Sequence, residues 1–231
     1  MSDSRSQARR IAYGTSARLT GRTLGAIVSL FALREATRYF GPVQWGAITA
    51  ALSWFVVFSY LGSPGVATLA MREVARPQAD AGKVFGRALT ATLVVSAAAA
   101  LVAAAIGLAV YHGRNDVLTM VLILTLGIPF MGLFLTSGSV LAARGRSDVR
   151  AFLDLVSSVF LLVATVVVVH AHLHVRGYAV AYLGYLIAAG LGAVALAACF
   201  VRPRFQHLRT GLVQMLRASL PLGQFDVFAI V

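Results

Sequence analysis

Five stretches of this sequence, roughly residues 43–63, 88–111, 117–142, 151–171 and 178–201, stay apolar for the ~20 residues that a helix needs to cross bilayer hydrocarbon. In lipid every backbone N–H and C=O must find its partner within the chain, so such runs fold as helices packed side by side. A sixth stretch, roughly 18–40, is of mixed character. Only Thr23 to Leu33 is free of charge, and it crosses with Arg22 at one edge and Arg34, Glu35 and Arg38 near the other. The expected fold class is an all-α polytopic membrane helix bundle: six transmembrane helices plus the start of a seventh. Charged residues are only 12% of the chain and the connections are short, which leaves no extramembrane domain for soluble chemistry.

The basic residues orient this bundle. Of 20 Lys and Arg, 16 fall on alternate connections. Arg5, Arg9, Arg10, Arg18 and Arg22 precede or open the first span; Arg72, Arg76, Lys83 and Arg87 lie in the second connection. Arg144, Arg146 and Arg150 lie in the fourth, and Arg202, Arg204, Arg209 and Arg217 follow the sixth span. The opposite side holds Arg34, Arg38, Arg114 and Arg176, so the positive-inside rule places the N-terminus in the cytoplasm of a multi-pass protein of the cell membrane. Aromatic rings gather at the predicted outer ends, with Tyr39, Phe40 and Trp45 at the first outer turn, Tyr111 at the second and Tyr178 and Tyr182 at the third. A net charge of +12 in a soluble chain points to nucleic acid, but here it sits at span ends beside anionic headgroups. Membrane lipids, and no nucleic acid, are the expected partners.

Four regions follow: a cytoplasmic basic N-terminus over 1–17, a six-helix lobe over 18–201, a cytoplasmic basic connection over 202–217, and the start of a truncated seventh helix over 218–231. The basic start lacks a small-residue cleavage site, which argues against a cleaved signal peptide. Cys199, the one cysteine, reads as a small apolar packing residue.

Two interruptions shape the lobe. Pro129 falls inside the fourth span and removes a backbone hydrogen bond, which predicts a kink. In the second span Gly62-Ser63-Pro64-Gly65 breaks an apolar run that continues to Met71, a length of ~43 Å as straight helix and more than the hydrocarbon is thick. Broken helices of this kind occur where they are buried in protein or line a cavity. Gly184, Ala188 and Gly192 at four-residue spacing, the alanine runs of the third span, and Gly21 with Gly25 offer small faces for close helix packing.

Several charged groups are candidates for function. Arg34 and Arg38 share a helix face and Glu35 reaches Arg38 at i, i+3; the trio suits either a diphosphate at a cavity wall or snorkelling at the outer interface. Arg72 and Arg76, with Glu73 beside them, lie just beyond the broken helix, where they either face a cavity or anchor the chain to headgroups. Asp154, near the start of the fifth span, is a weak candidate for ion coupling or a first-turn acid at the helix dipole, and Asp226 falls in the unfinished segment. His170, His172 and His174 lack a nearby Cys or carboxylate and read as an interfacial loop. No Walker loop, nucleophile elbow or HExxH run is present, so no enzyme activity, cofactor or metal is expected.

Thr37-Arg38-Tyr39-Phe40-Gly41-Pro42-Val43-Gln44-Trp45-Gly46 resembles the turn between the first two helices of oligosaccharide flippases in the polysaccharide biosynthesis branch of the MOP (multidrug/oligosaccharidyl-lipid/polysaccharide) superfamily. Tyr60-Leu61-Gly62-Ser63-Pro64-Gly65, continuing through Leu69-Ala70-Met71-Arg72-Glu73-Val74-Ala75-Arg76, is similar to that family's segment ending the second helix. Pro64 departs from the small or polar residue usual there. Val140 to Arg146, continuing to Asp154, and Arg217 to Gly223 resemble the turn after the fourth helix and the opening of the seventh. The resemblance implies the N-terminal lobe of a two-lobe transporter that flips a polyprenyl-diphosphate-linked oligosaccharide for cell-surface polysaccharide assembly. It matches Arg38 and Arg72 to basic motif positions, with Arg72 the better candidate for substrate contact. It also implies a second lobe as partner, from another copy or a separate chain. The alternatives are a non-transporting scaffold in a glycan-assembly complex and, ranked lower, a MATE-like exporter of drugs or cations, for which the spans offer few acids.

Overall fold

The computed structural model describes residues 2–63, 65–76, 80–205, 215 and 219, with side chains from Thr23 onward. Among these the chain is helical, with no strand, in seven helices: α1 (Ser2–Leu61), α2 (Val66–Val74), α3 (Ala81–Val110), α4 (Asn115–Thr125), α5 (Ile128–Ala143), α6 (Ser147–His170) and α7 (Val175–Phe200). The expectation of a polytopic helical membrane bundle is borne out. Five long apolar helical stretches are present, one being α4 and α5 taken together. Pro64, Asp226, and the segment 218–231 apart from Ser219 lie outside the described residues.

α1 is two limbs joined at Gly41, whose φ of 67° and ψ of 177° belong to no helix. A left-handed φ carries little penalty in glycine, and Pro42, lacking an N–H, begins the next limb without losing a donor. Contacts along the limbs set their directions. Gly25 lies against Ser158 and Tyr39 beside His172, so the first limb runs parallel to α6. Trp54 stacks edge-on with Tyr111 and Gly62 lies against Ser96, so the second limb runs opposite to α3. Both α3 and α6 leave the end of the bundle that carries Arg146 and Arg204, hereafter the basic end. The limbs therefore form a hairpin, and the described helices make six passes along the bundle.

Both predicted interruptions are present, in altered form. The second helix stops at Leu61 and α2 restarts from Gly65, whose φ of 68° again suits glycine. The fourth span is not one bent helix. α4 ends at Thr125, the break lies at Leu126 and Gly127, and Pro129 sits in the first turn of α5, where its missing N–H costs least.

Among the described residues the core has two apolar clusters. Near the basic end Val66, Ala70 and Val74 of α2 pack with Phe85, Leu133, Leu141, Ala193 and Ala197. Toward the other end Phe40, Ile48, Phe55, Met120, Leu124 and Leu186 form the second. Buried hydroxyls lie within the α3–α5 interface: Thr92 and Thr136 share a 2.8 Å hydrogen bond, and Ser96 Oγ donates to the Thr92 carbonyl at 2.5 Å. Such pairs satisfy polar groups that lipid cannot.

One expectation is overturned. Gly184, Ala188 and Gly192 do not form the packing face of α7; all three are exposed, and nothing lies within 4 Å of a Cβ built on either glycine. The buried face is Leu186, Gly190, Ala193 and Ala197, with Gly190 against the Phe130 backbone of α5. Gly25 does provide the expected close approach, to Ser158 of α6.

Candidate functional site

α2 is the element that positions Arg72. Its turns bury Val66, Ala70 and Val74 at four-residue intervals against α3 and α5, which leaves Met71, Arg72 and Arg76 exposed on the other side. Among the described residues neither Arg72 nor Arg76 has an ion-pair partner, although Glu73 is adjacent. An exposed guanidinium on a short rigid helix at the end of the bundle keeps its donors for an oxyanion.

Arg34 and Arg38 are exposed on the first limb and Glu35 is half-buried between them. The expected Glu35–Arg38 contact is absent among the described ion pairs. These residues lie a turn or two from Tyr39 and Phe40, which contact His172 and Tyr178 beside the start of α7. Arg72 belongs to the basic end, where α7 finishes. The structure therefore does not bring Arg38 and Arg72 to one site; it separates them along the bundle by most of the ~39 Å length of α7.

Asp154 is not a free carboxylate. Arg150 Nε donates to its two oxygens at 3.1 and 3.3 Å, one helical turn apart on α6. The side chains are 16% and 33% exposed. The Arg150 guanidinium lies 5.4 Å from the Phe134 ring centre, with its Nη1 end against Gly138 of α5, in the space a Cβ would fill. Sequence reasoning took Arg150 only as a headgroup anchor. The i, i+4 spacing to Asp154 was the signal for the pair, and Gly138 in a run of small residues was the signal for its seat.

His170, His172 and His174 surround the α6–α7 connection without converging. His170 Nδ1 lies 3.0 Å from the Val166 carbonyl, His172 has a φ of 50°, and His174 stands at the N-cap position of α7 without a side-chain capping bond. A recess of about 580 Å³ opens at the α4–α5 break, lined by Ala97, Ala100, Leu101, Leu122, Leu126 and Pro129 among others. Its walls are apolar apart from Thr125, so it offers no binding chemistry for a phosphate.

At the basic end the segment after α7 folds back on α3. Arg204 N–H donates to the Gly82 carbonyl at 2.9 Å, and its guanidinium pairs with Asp80 at 3.4 Å. Some desolvation works the other way, but the Lys83 N–H and the Arg204 and Lys83 charges hold the Asp80 carboxyl below its ordinary value. A depressed carboxylate pKa means that this contact is complete above pH 3.8 and is lost as pH falls through the lower folded value. The protection factor of the Arg204 amide, taken relative to the intrinsic exchange rate at each pH, is expected to hold at neutral pH and to fall in that acid range. Unchanged protection in the acid range would show that the carboxylate does not hold the segment.

Residues 36–231 match the family described as polysaccharide biosynthesis protein. No curated protein sequence matches. Among solved structures, the chain superposes on a MOP superfamily transporter from Pyrococcus furiosus, described by the reverse polarity of its binding pocket, with a TM-score of 0.70 at 16% identity. It also superposes on a multidrug resistance MATE family transporter of the MOP superfamily in an outward-facing conformation, with a TM-score of 0.69 at 17% identity. Both alignments cover 91% of this chain and 52% of the other, so the chain spans about half the length of the structures it matches. At such identities the likeness shows the fold.

Proposed function

We propose that this chain, which belongs to the polysaccharide biosynthesis protein family, is one lobe of a transporter that flips a polyprenyl-diphosphate-linked oligosaccharide across the cell membrane. The observation that carries the reading is the placement of Arg72 on the outer side of a helix whose other side is locked into the core. With the basic end at the cytoplasm, Arg72 and Arg76 receive the diphosphate there, and Arg34 and Arg38 meet it at the opposite end. The two positions act in succession, since one diphosphate does not span ~39 Å. Access alternates by rocking against a second lobe, another copy or a separate chain, around the lipid-linked sugar. The chemistry is binding and release, with no bond made or broken.

The pairing of Asp154 with Arg150 favours an anionic over a cationic cargo, because the carboxylate that was the candidate for ion coupling is already neutralised. Arg150 in turn makes Asp154 a poor ion-coupling site. The test is made in cells whose surface glycan depends on the encoding gene. Loss of the gene is expected to trap lipid-linked oligosaccharide in the inner leaflet while its synthesis continues. Normal surface glycan in its absence overturns the reading, and loss of synthesis itself favours the scaffold alternative.

A further inference from the structure

The corner where α5, α6 and α7 meet at the basic end holds groups that the transport reading leaves unused. Arg150 spends its Nε on Asp154 and its ring-like face on Phe134. A carboxylate held on Nε fixes the guanidinium plane, and with Nη1 seated against Gly138 it leaves Nη2 for another oxyanion. That amino group makes no hydrogen bond among the described residues, and the Arg150 side chain keeps 16% of its surface exposed. One turn earlier on the same face of α6, Arg146 lies 4.9 Å from the Phe200 ring centre, which draws it toward α7. Arg144, Arg146 and Arg150 against Asp148 and Asp154 leave a net positive charge at this end of α6.

Directly below is a cavity of about 130 Å³, lined by Phe134, Leu153, Val156, Phe160, Ala188 and Gly192 with Ser157 and Ala189. Phe134 serves both features, one face of the corner and one wall of the slot. Val156, Phe160, Ala188 and Gly192 are exposed on the outside of a membrane-spanning bundle, so the slot opens to lipid. Its volume is about four times the ~30 Å³ share of a water, yet Ser157 is the one hydroxyl in its lining, which suits hydrocarbon better than water. Along α6 the order is Arg146, Arg150, then Leu153, Val156 and Phe160, so charge lies at the end of the bundle and apolar surface lies deeper. That is the polarity of a single lipid. No residue of α2, which carries Arg72, lines the slot.

We infer that Arg150 and Arg146 bind the phosphate of an anionic bilayer phospholipid, with part of one acyl chain in the slot between α6 and α7. The exposed Gly184, Ala188 and Gly192 are then the floor of a lipid groove, which explains small residues on a face that packs against no helix among the described residues. The inference is independent of the transport reading, since lipid retention is measured without transport.

The test is native mass spectrometry of the full chain in mild detergent, titrated with phosphatidylglycerol or phosphatidylcholine. A net charge of about one at the surface predicts a preference of about fivefold for phosphatidylglycerol. The triple variant Arg146→Gln, Arg150→Gln and Asp154→Asn removes both guanidiniums together with the carboxylate, strands no charge, and is expected to abolish the preference. Ala188→Phe fills the slot from an exposed position, leaves the charges in place, and is expected to lower retention of both lipids. Equal binding of the two lipids, or a preference that survives both variants, overturns the inference. Displacement of phosphatidylglycerol by tighter-binding undecaprenyl diphosphate also overturns it, because the site then belongs to the cargo.

Discussion

Gly138→Leu is expected to destabilise the lobe by about 2–3 kcal/mol, which lowers a thermal midpoint by roughly 5–10 °C in a chain of this size. The leucine side chain takes the space in which the Arg150 guanidinium lies, so the arginine leaves Phe134 and Asp154 together. Breaking a well-buried pair costs ~3–5 kcal/mol, and the 33% exposure of Asp154 reduces that here. A double-mutant cycle checks the cause. In a background of Arg150→Met with Asp154→Leu, the same glycine replacement is expected to cost less than half as much. An undiminished cost would assign the effect to the α5–α6 backbone contact alone.

Arg72→Gln is expected to lower movement of the lipid-linked oligosaccharide at least about tenfold, the loss of one charge-assisted phosphate contact, with no change in thermal midpoint. The separation of the two readouts follows from α2. Its buried face is Val66, Ala70 and Val74, and Arg72 contributes nothing to that packing. Arg72→Lys keeps the charge but loses the planar fork, so an intermediate rate is expected. Transport unaffected by Arg72→Gln would favour the scaffold reading, in which this charge is only an anchor.

The parts of the fold that were legible from sequence are those set by solvent. Apolar runs of membrane length gave the spans, and glycine with proline marked where they break. Helix facing was legible only where one side of a helix differs from the rest. α2 is such a case, with Val66, Ala70 and Val74 on one side and Arg72 and Arg76 on the other. α7 is not. It has small residues on both faces, and the choice between Gly190 and the Gly184–Gly192 row is made by Phe130, a residue of another helix.

The same limit applies to the candidate residues. Arg72 and Arg38 are recognisable one at a time, but their distance apart depends on the reversal at Gly41 and the restart at Gly65. Arg150 illustrates the opposite problem. The spacing to Asp154 is visible in the sequence, but the positive-inside pattern accounts for a basic residue there without any partner. Only the meeting of α6 with Gly138 and Phe134 separates an anchor from a seated ion pair.

The most direct measurement reconstitutes the full protein, with whatever second lobe accompanies it, into liposomes that carry a fluorescent polyprenyl-diphosphate-linked oligosaccharide in one leaflet. Accessibility of the sugar to an added glycosidase reports the leaflet, and a cationic dye loaded in parallel reports the competing cargo. The account predicts protein-dependent crossing of the lipid-linked sugar, sensitive to Arg72→Gln, with the dye retained. Dye efflux with the sugar left in its original leaflet would contradict it.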